Sequence, residues 1–247
     1  MSGTTWLTVT STDEVTPTLR RVWFRSDDLS AFADSEWTDR YVKLQLPGAV
    51  RTYTALFPDV DAGTLAIDFV VHGDSGVAGP WAKAARPGNR LEVRGPGGAY
   101  RPDPTADWHL LAGDESAVPA ITAALHALPA DAVARVVVLV EGPGHEPALP
   151  LPARGELTVL HRSALAPGEG LTTAVRALTW LPGRVHAFVH GEAAEVMHGV
   201  RTHLFTDRGL DRDQVSISGY WREGRTEEGF RQWKQDLRAA EEATAAS

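Results

Sequence analysis

Between Tyr100 and Thr105 the chain changes its pattern, and no other feature constrains its architecture as strongly. Upstream lie short segments in which apolar and polar residues tend to alternate: Trp6–Thr10, Leu19–Phe24, Tyr41–Leu46 and Arg90–Arg94. Period-two alternation marks strands with one buried face, and Asp61-Ala62-Gly63 and Pro87-Gly88-Asn89 supply turns. With a further strand over Leu65–Val71 and a short helix over Trp81–Arg86, these segments predict an antiparallel β-barrel or sandwich. Downstream, nearly continuous apolar runs alternate with helical stretches. Strands are expected at Trp108–Ala112, Val133–Val140, Leu157–Leu160, Val185–His190 and Val215–Ile217. Helices are expected over 117–127, 171–179 and 193–206, and a last one over Glu227–Ala243 with Phe230, Trp233 and Leu237 on one face. Continuous apolar strands separated by helices predict a parallel sheet covered on both sides. The expected division is a β-barrel domain over residues 1–102 and an α/β domain over 106–247, with Pro102 and Pro104 in the linker.

Composition excludes several chemistries. Cysteine is absent from the 247 residues, which removes disulfides, thiolate zinc sites, cysteine nucleophiles and cysteine-ligated iron–sulfur clusters. The 9 histidines include no His-x-x-x-His pair within a helical pattern, so no protein metal site is expected. A redox role would therefore need a dissociable organic cofactor. The formal net charge of −8 argues against nucleic acid, whose phosphates call for clustered Lys and Arg. No apolar run approaches the roughly 20 residues of a membrane helix. Met1 to Trp6 carries neither the basic start nor the apolar stretch of a signal peptide, so a cytoplasmic location is the expectation, with a monomer as the default where the sequence leaves oligomeric state open.

The residues suited to chemistry fall in clusters. Arg51-Thr52-Tyr53-Thr54 offers a cation, an aromatic face and a hydroxyl, and residues two apart on a strand share a side. Alone, these four residues also describe an ordinary strand. His72 to Trp81 adds Gly73, Gly76 and Gly79, where backbone amides can approach a ligand, and Pro80 suits the first turn of a helix. A glycine-rich hairpin connection would look the same. Gly113-Asp114-Glu115-Ser116-Ala117 follows an apolar strand and opens a helix, the place where a doubly wound sheet holds nucleotide phosphates. It lacks the Gly-x-Gly-x-x-Gly fingerprint, and a plain helix start capped by Ser116 is the simpler account. Gly191-Glu192-Ala193 repeats the strand-to-helix arrangement. Arg162, after another strand, is placed to meet a 2′-phosphate and so to favour NADPH over NADH, unless it is merely exposed. Tyr220 and Trp221, set between Gly219 and Gly224, can cover a planar ring or anchor the last helix.

In combination and in this order, these residues resemble the siderophore-interacting proteins, FAD-dependent ferric-siderophore reductases of the ferredoxin–NADP reductase superfamily. The resemblance rests on Arg51-x-Tyr53-Thr54, on Asp68-Phe69 with His72-Gly73, and on Trp81-Ala82 and Gly95-Pro96. It continues through Gly113 to Ala120, with Ser116 in place of the usual threonine, then Gly191 to Ala193 and Gly219 to Gly224. It implies an N-terminal FAD-binding β-barrel held to the flavin by Arg51, Tyr53, Thr54, Asp68, Val70, His72, Gly76, Val77, Ala78, Gly79 and Trp81, with Tyr53 and Thr54 beside the reacting ring. It also implies an α/β domain taking NADPH or NADH through Gly113, Asp114, Glu115, Ser116, Ala117, Arg162, Gly191, Glu192, Ala193, Tyr220 and Trp221. One departure is Gly79, where the family usually carries a serine hydroxyl.

The expected chemistry is hydride transfer from the nicotinamide to the flavin, then single electrons to an Fe(III)-siderophore, releasing Fe(II). Lys43, Arg40, Arg222 and Arg225 are cations that an anionic siderophore could meet, although solvated surface charge is the simpler account of each. The alternatives are a flavin reductase or diaphorase with another acceptor, and a siderophore-binding protein without flavin, for which Gly79 is the suggestive feature.

Overall fold

The computed structural model describes residues 4–71, 73, 76–224 and 229. The expected C-terminal helix, its residues Phe230, Trp233 and Leu237, and the candidates His72 and Arg225 lie outside that range. The first half forms one seven-stranded sheet in the order β4-β3-β7-β1-β2-β6-β5. Its strands are β1 (Thr4–Thr16), β2 (Leu19–Arg25), β3 (Tyr41–Leu46), β4 (Ala49–Thr54), β5 (Leu56–Asp59), β6 (Thr64–Val70) and β7 (Arg90–Gly97), every neighbouring pair antiparallel. Alternation decides which way each side chain faces: Leu7, Val9, Val22, Phe24, Val42, Leu44, Leu65, Ile67, Phe69, Leu91 and Val93 enclose one apolar core. The sheet curls until Tyr53 on edge strand β4 lies 4.7 Å from Phe69 on β6, ring centre to ring centre. Helix α1 (Ala78–Ala84) covers one end through Ala78 and Ala82. It begins three residues before the expected start because Pro80, in the first turn, has no N–H to leave unpaired.

The second half is a parallel sheet in the order β10-β9-β8-β11-β12. Its strands are β8 (Trp108–Asp114), β9 (Val133–Val140), β10 (Arg154–His161), β11 (Val185–Glu192) and β12 (Val215–Trp221). Helix α2 (Val118–Ala127) packs on one face. Helix α3 (Leu171–Ala177) and the helical segment α4 (residues 193–207, with π-helical turns at Glu195–Val200 and His203–Asp207) pack on the other. Strand β8 is central and buried throughout, which explains its unbroken apolar reading. Strand β12 runs on to Trp221, so Gly219, Tyr220 and Trp221 lie within the strand and not beyond it as expected from the sequence. Strand order reverses between β8 and β11, creating a switch point at the carboxyl edge.

The two sheets meet along a packed seam. Tyr100 is 2% exposed; it stacks on His186 at 4.9 Å and leans on Phe188 at 4.8 Å. The Asp39 carboxylate accepts the Ala99 and Tyr100 N–H groups, each at 2.9 Å, and His186 Nδ1 accepts the Asp103 N–H at 3.0 Å. Arg184 pairs with Asp103 and with Asp213. On the other flank, Val15, Leu19 and Val70 join the cluster around α2, and Phe57 meets His126 edge-on at 5.3 Å.

His109 on β8 is buried beneath this seam, and desolvation, with His186 close by, pulls its pKa down to about 4. An unfolded histidine titrates near 6.5, so between these values the unfolded chain binds the extra proton. Stability should therefore be fully present above about pH 6.5 and decline as pH falls toward 4. Denaturant midpoints measured across that range in wild type and His109→Phe should show a shallower decline in the variant.

Candidate functional site

The carboxyl edge of the parallel sheet is organised around two carboxylates. Gly113 is the penultimate residue of β8, at a point where a Cβ would stand 2.3 Å from the His190 carbonyl oxygen and 2.4 Å from Ala117 Cβ. Only glycine lets β8, β11 and the start of α2 approach this closely. Asp114 follows, 2% exposed. Its Oδ1 accepts the Ser116 N–H at 2.9 Å and the Ser116 hydroxyl; its Oδ2 accepts the Glu192 N–H and the Trp221 Nε1–H, both at 2.8 Å. Gly191, at φ +152°, passes so near that a Cβ would lie 2.8 Å from that same Oδ2. Glu192 is the second hub. Its Oε2 accepts the Ala194 and Glu195 amides at the opening of α4, and its Oε1 accepts Arg222 Nη1 at 2.8 Å and the Glu223 N–H at 3.2 Å. Burial opposes the charge on Glu192, yet these hydrogen bonds hold its carboxyl below the usual range.

Three motifs distant in sequence are thus knotted together by their own side chains, and several expectations change. Ser116 does not cap α2: Ala117 occupies the N-cap position, and the serine is tied back to Asp114. Ala117 and Ala193 are core residues, 0% and 1% exposed. Tyr220 and Trp221 do not form one aromatic cover, because successive strand residues face opposite sides. Tyr220 packs inward against His190 at 4.8 Å, its phenol pushed far above the usual range by burial, with Asp39 and Asp114 adding to the effect. Trp221 is 38% exposed and presents its ring at the edge. Arg222 is engaged by Glu192. Arg162 is engaged as well: its guanidinium lies 3.0 Å from Glu115 and 3.7 Å from Glu141. Glu115 is 5% exposed, and burial pushes its carboxyl up although Arg162 pulls the other way. Glu141 was not among the sequence candidates; the signal available was an acid directly after the second strand of a βαβ unit.

On the barrel side, Arg51 and Tyr53 share one face of β4, as the strand spacing requires, and both are half-buried. An aromatic series runs inward from Tyr53 to Phe69 (4.7 Å), then to Trp81 (5.5 Å) and Phe24 (6.3 Å). Trp81 therefore packs against the barrel core. Thr54 is 8% exposed and lies on the opposite face from Tyr53, across from Tyr41. Gly73 and Gly76 have φ of +51° and +77° with open space where a side chain would project. Val77 and Ala78 pack on the barrel core. Gly79 is buried, and a Cβ there would lie 3.3 Å from the Val70 carbonyl oxygen, so close packing of α1 on β6 accounts for the residue.

Asp68 does not join this group. Leu65, Ile67 and Phe69 take the interior face of β6, which turns Asp68 and Val70 toward the second sheet. The Asp68 carboxylate is held by Arg21 in a two-pronged pair at 2.7 and 2.8 Å. The pair lines a hollow of about 440 Å³ together with Phe57, Thr122, His126 and residues 147–150. That hollow is lined by neither Tyr53 nor Trp221.

Replacing Asp114 by Asn sets an amide N–H against a donor it now accepts from. A loss of about 1–3 kcal/mol is expected from the buried donor left unsatisfied. Urea denaturation should show this, and the Trp221 emission should shift toward that of a solvated indole.

Two family models match the chain. Residues 47–100 match the siderophore-interacting FAD-binding domain, and residues 106–224 match the siderophore-interacting protein model. An uncharacterized protein of Mycobacterium tuberculosis is 44% identical over 96% of this chain and 96% of its own length. Ferric vibriobactin reductase ViuB of Vibrio cholerae is 35% identical over 73% of this chain and 67% of its own. The crystal structure of a siderophore utilization protein from T. fusca superposes with a TM-score of 0.80 at 31% identity, covering 91% of this chain and 94% of that one. The order of motifs, the antiparallel-then-parallel architecture and these matches agree: this chain belongs to the siderophore-interacting protein family and carries that family's FAD-binding domain.

Proposed function

We propose that the protein is an NAD(P)H-dependent flavin oxidoreductase that reduces a ferric siderophore and so releases Fe(II). The observation that carries this reading is the 35% identity to a ferric vibriobactin reductase, together with a FAD-binding domain match over residues 47–100. The absence of cysteine adds weight: with no cysteine-ligated cluster to relay electrons, a flavin has to meet its acceptor directly. Bound FAD would supply the conversion of a two-electron hydride from NAD(P)H into single electrons for the iron.

The residues present fit such a group. Tyr53 presents a half-buried ring, braced from behind by Phe69, on a strand at the edge of its sheet. Arg51 stands two residues away on the same face and can neutralise a pyrophosphate. The open, positive-φ backbone at Gly73 and Gly76 lets amides come close to an anion. Thr54 remains a candidate through its backbone, since its side chain faces away from Tyr53. Asp68, committed to Arg21, is assigned to the seam and not to the flavin.

For the dinucleotide, the carboxyl edge from Gly113 to Ala117 and from Gly191 to Ala193 lies at the switch point. Its carboxylates and the amides of Ser116, Ala117, Glu192, Ala194 and Glu195 are engaged in the internal network, so the exposed ring of Trp221 is what it offers a ligand. Iron release follows from ligand chemistry: hard oxygen donors hold Fe(II) far less firmly than Fe(III), and no side chain has to act as acid or base.

The test is anaerobic. FAD-loaded protein given NADH or NADPH should lose its flavin absorbance, and adding a ferric siderophore should restore it while an Fe(II) chelator colours. Turnover on free flavin or quinones that exceeds turnover on every ferric siderophore tried would favour the diaphorase reading. Purified protein that is colourless and cannot be loaded with FAD would end the enzymatic one.

A further inference from the structure

Building on the dinucleotide reading of the carboxyl edge, we infer that this site selects NADH over NADPH, with Glu141 reading the free 2′-hydroxyl and Glu115 withholding Arg162 from a 2′-phosphate. The placement comes from strand order. Strands β8, β9 and β10 lie side by side and parallel, and Val140 at the end of β9 pairs with His161 at the end of β10. The residues that follow these strands, Glu141 and Arg162, therefore emerge next to each other, and the Ser163 N–H donates to the Glu141 carbonyl at 3.0 Å. In a doubly wound sheet, an acid at the end of the second strand of the first βαβ unit is placed to accept the adenosine ribose hydroxyls. Glu141 stands at that point, directly after β9, with its side chain 54% exposed.

Arg162 is the residue a 2′-phosphate would require, and it is already held. Its Nη2 donates to Glu115 Oε2 at 3.0 Å, and its Nε lies 3.7 Å from Glu141 Oε2. Glu115 is 5% exposed, and its other oxygen, Oε1, has no hydrogen-bond partner among the described residues. Turning Arg162 toward a phosphate would take the guanidinium away from a buried carboxylate, a change far costlier than loosening an exposed ion pair. The trio of Glu115, Glu141 and Arg162 also carries net negative charge when ionised, whereas a 2′-phosphate would bring about two more negative charges into it. A 2′-hydroxyl meets neither obstacle: it donates to Glu141 and leaves the pair between Glu115 and Arg162 intact.

The test is calorimetric titration of the FAD-loaded protein with NAD⁺ and with NADP⁺, which reads binding without turnover. NAD⁺ should bind at least tenfold more tightly. Glu141→Gln, an exposed substitution that keeps the side-chain size, should bring the two affinities to within about threefold, mainly by tightening NADP⁺, as expected when a repelling charge is removed. NADP⁺ binding as tightly as NAD⁺ to the wild type, or a ratio that Glu141→Gln leaves unchanged, overturns the inference. Flavin content is read separately from absorbance. Protein that holds FAD but takes up neither dinucleotide overturns the dinucleotide reading as well as this inference, while equal affinities overturn the specificity alone.

Discussion

The buried carboxylate of Asp114 is the interaction on which the functional edge of the parallel sheet depends. It stands at the end of the central strand and accepts hydrogen bonds from Ser116, Glu192 and Trp221, which belong to three different parts of the chain. A charge buried to 2% exposure survives only if its lone pairs are satisfied, and here donors from its own loop and from β11 and β12 supply that. The glycines follow from it. Gly191 has no side chain because the carboxylate occupies the space, and Gly113 has none because β8, β11 and α2 meet there. What reads as three ligand-binding motifs is first of all one internal joint.

That joint governs what the edge can present to a ligand. With the acidic side chains turned inward and the amides of Ser116, Ala117, Glu192, Ala194 and Glu195 satisfied within the joint, the edge turns the face of Trp221 outward, a surface suited to a planar ring. The same economy appears around Glu192, which caps the start of α4 and fixes Arg222. The seam provides the second constraint. Tyr100, packed on His186 and Phe188 of β11 with Asp39 bracing its backbone, leaves the connecting segment little freedom. The barrel edge and the carboxyl edge are thus held as parts of one packed body.

Much of this was legible in the residues. The switch from alternating to continuous apolar strands near Tyr100 identified both sheets, because period two reports one buried face and an unbroken run reports two. Arg51 and Tyr53 share a side as strand spacing demands. Strand β5 escaped notice because Leu56–Asp59 is four residues long, contains Pro58 and carries Phe57 at φ +51°. Asp68 read as a ligand because it sits inside a recognisable motif, yet its direction depended on which neighbours share its face of β6. Ser116 read as a cap because serine before a helix often is one, but a nearer carboxylate claimed it.

Local sequence determined the element types, the absence of thiol chemistry and the family, since periodicity, composition and ordered motifs are properties of the chain itself. Only the folded structure decided the partners. Arg162 belongs to Glu115 and Glu141, Asp68 to Arg21, and Trp221 to Asp114, each from a residue at least 21 positions away in sequence. The reason is physical: a charge or donor settles where burial and competing partners leave its bonds best satisfied, and that balance is set by residues that meet only after the sheets have formed.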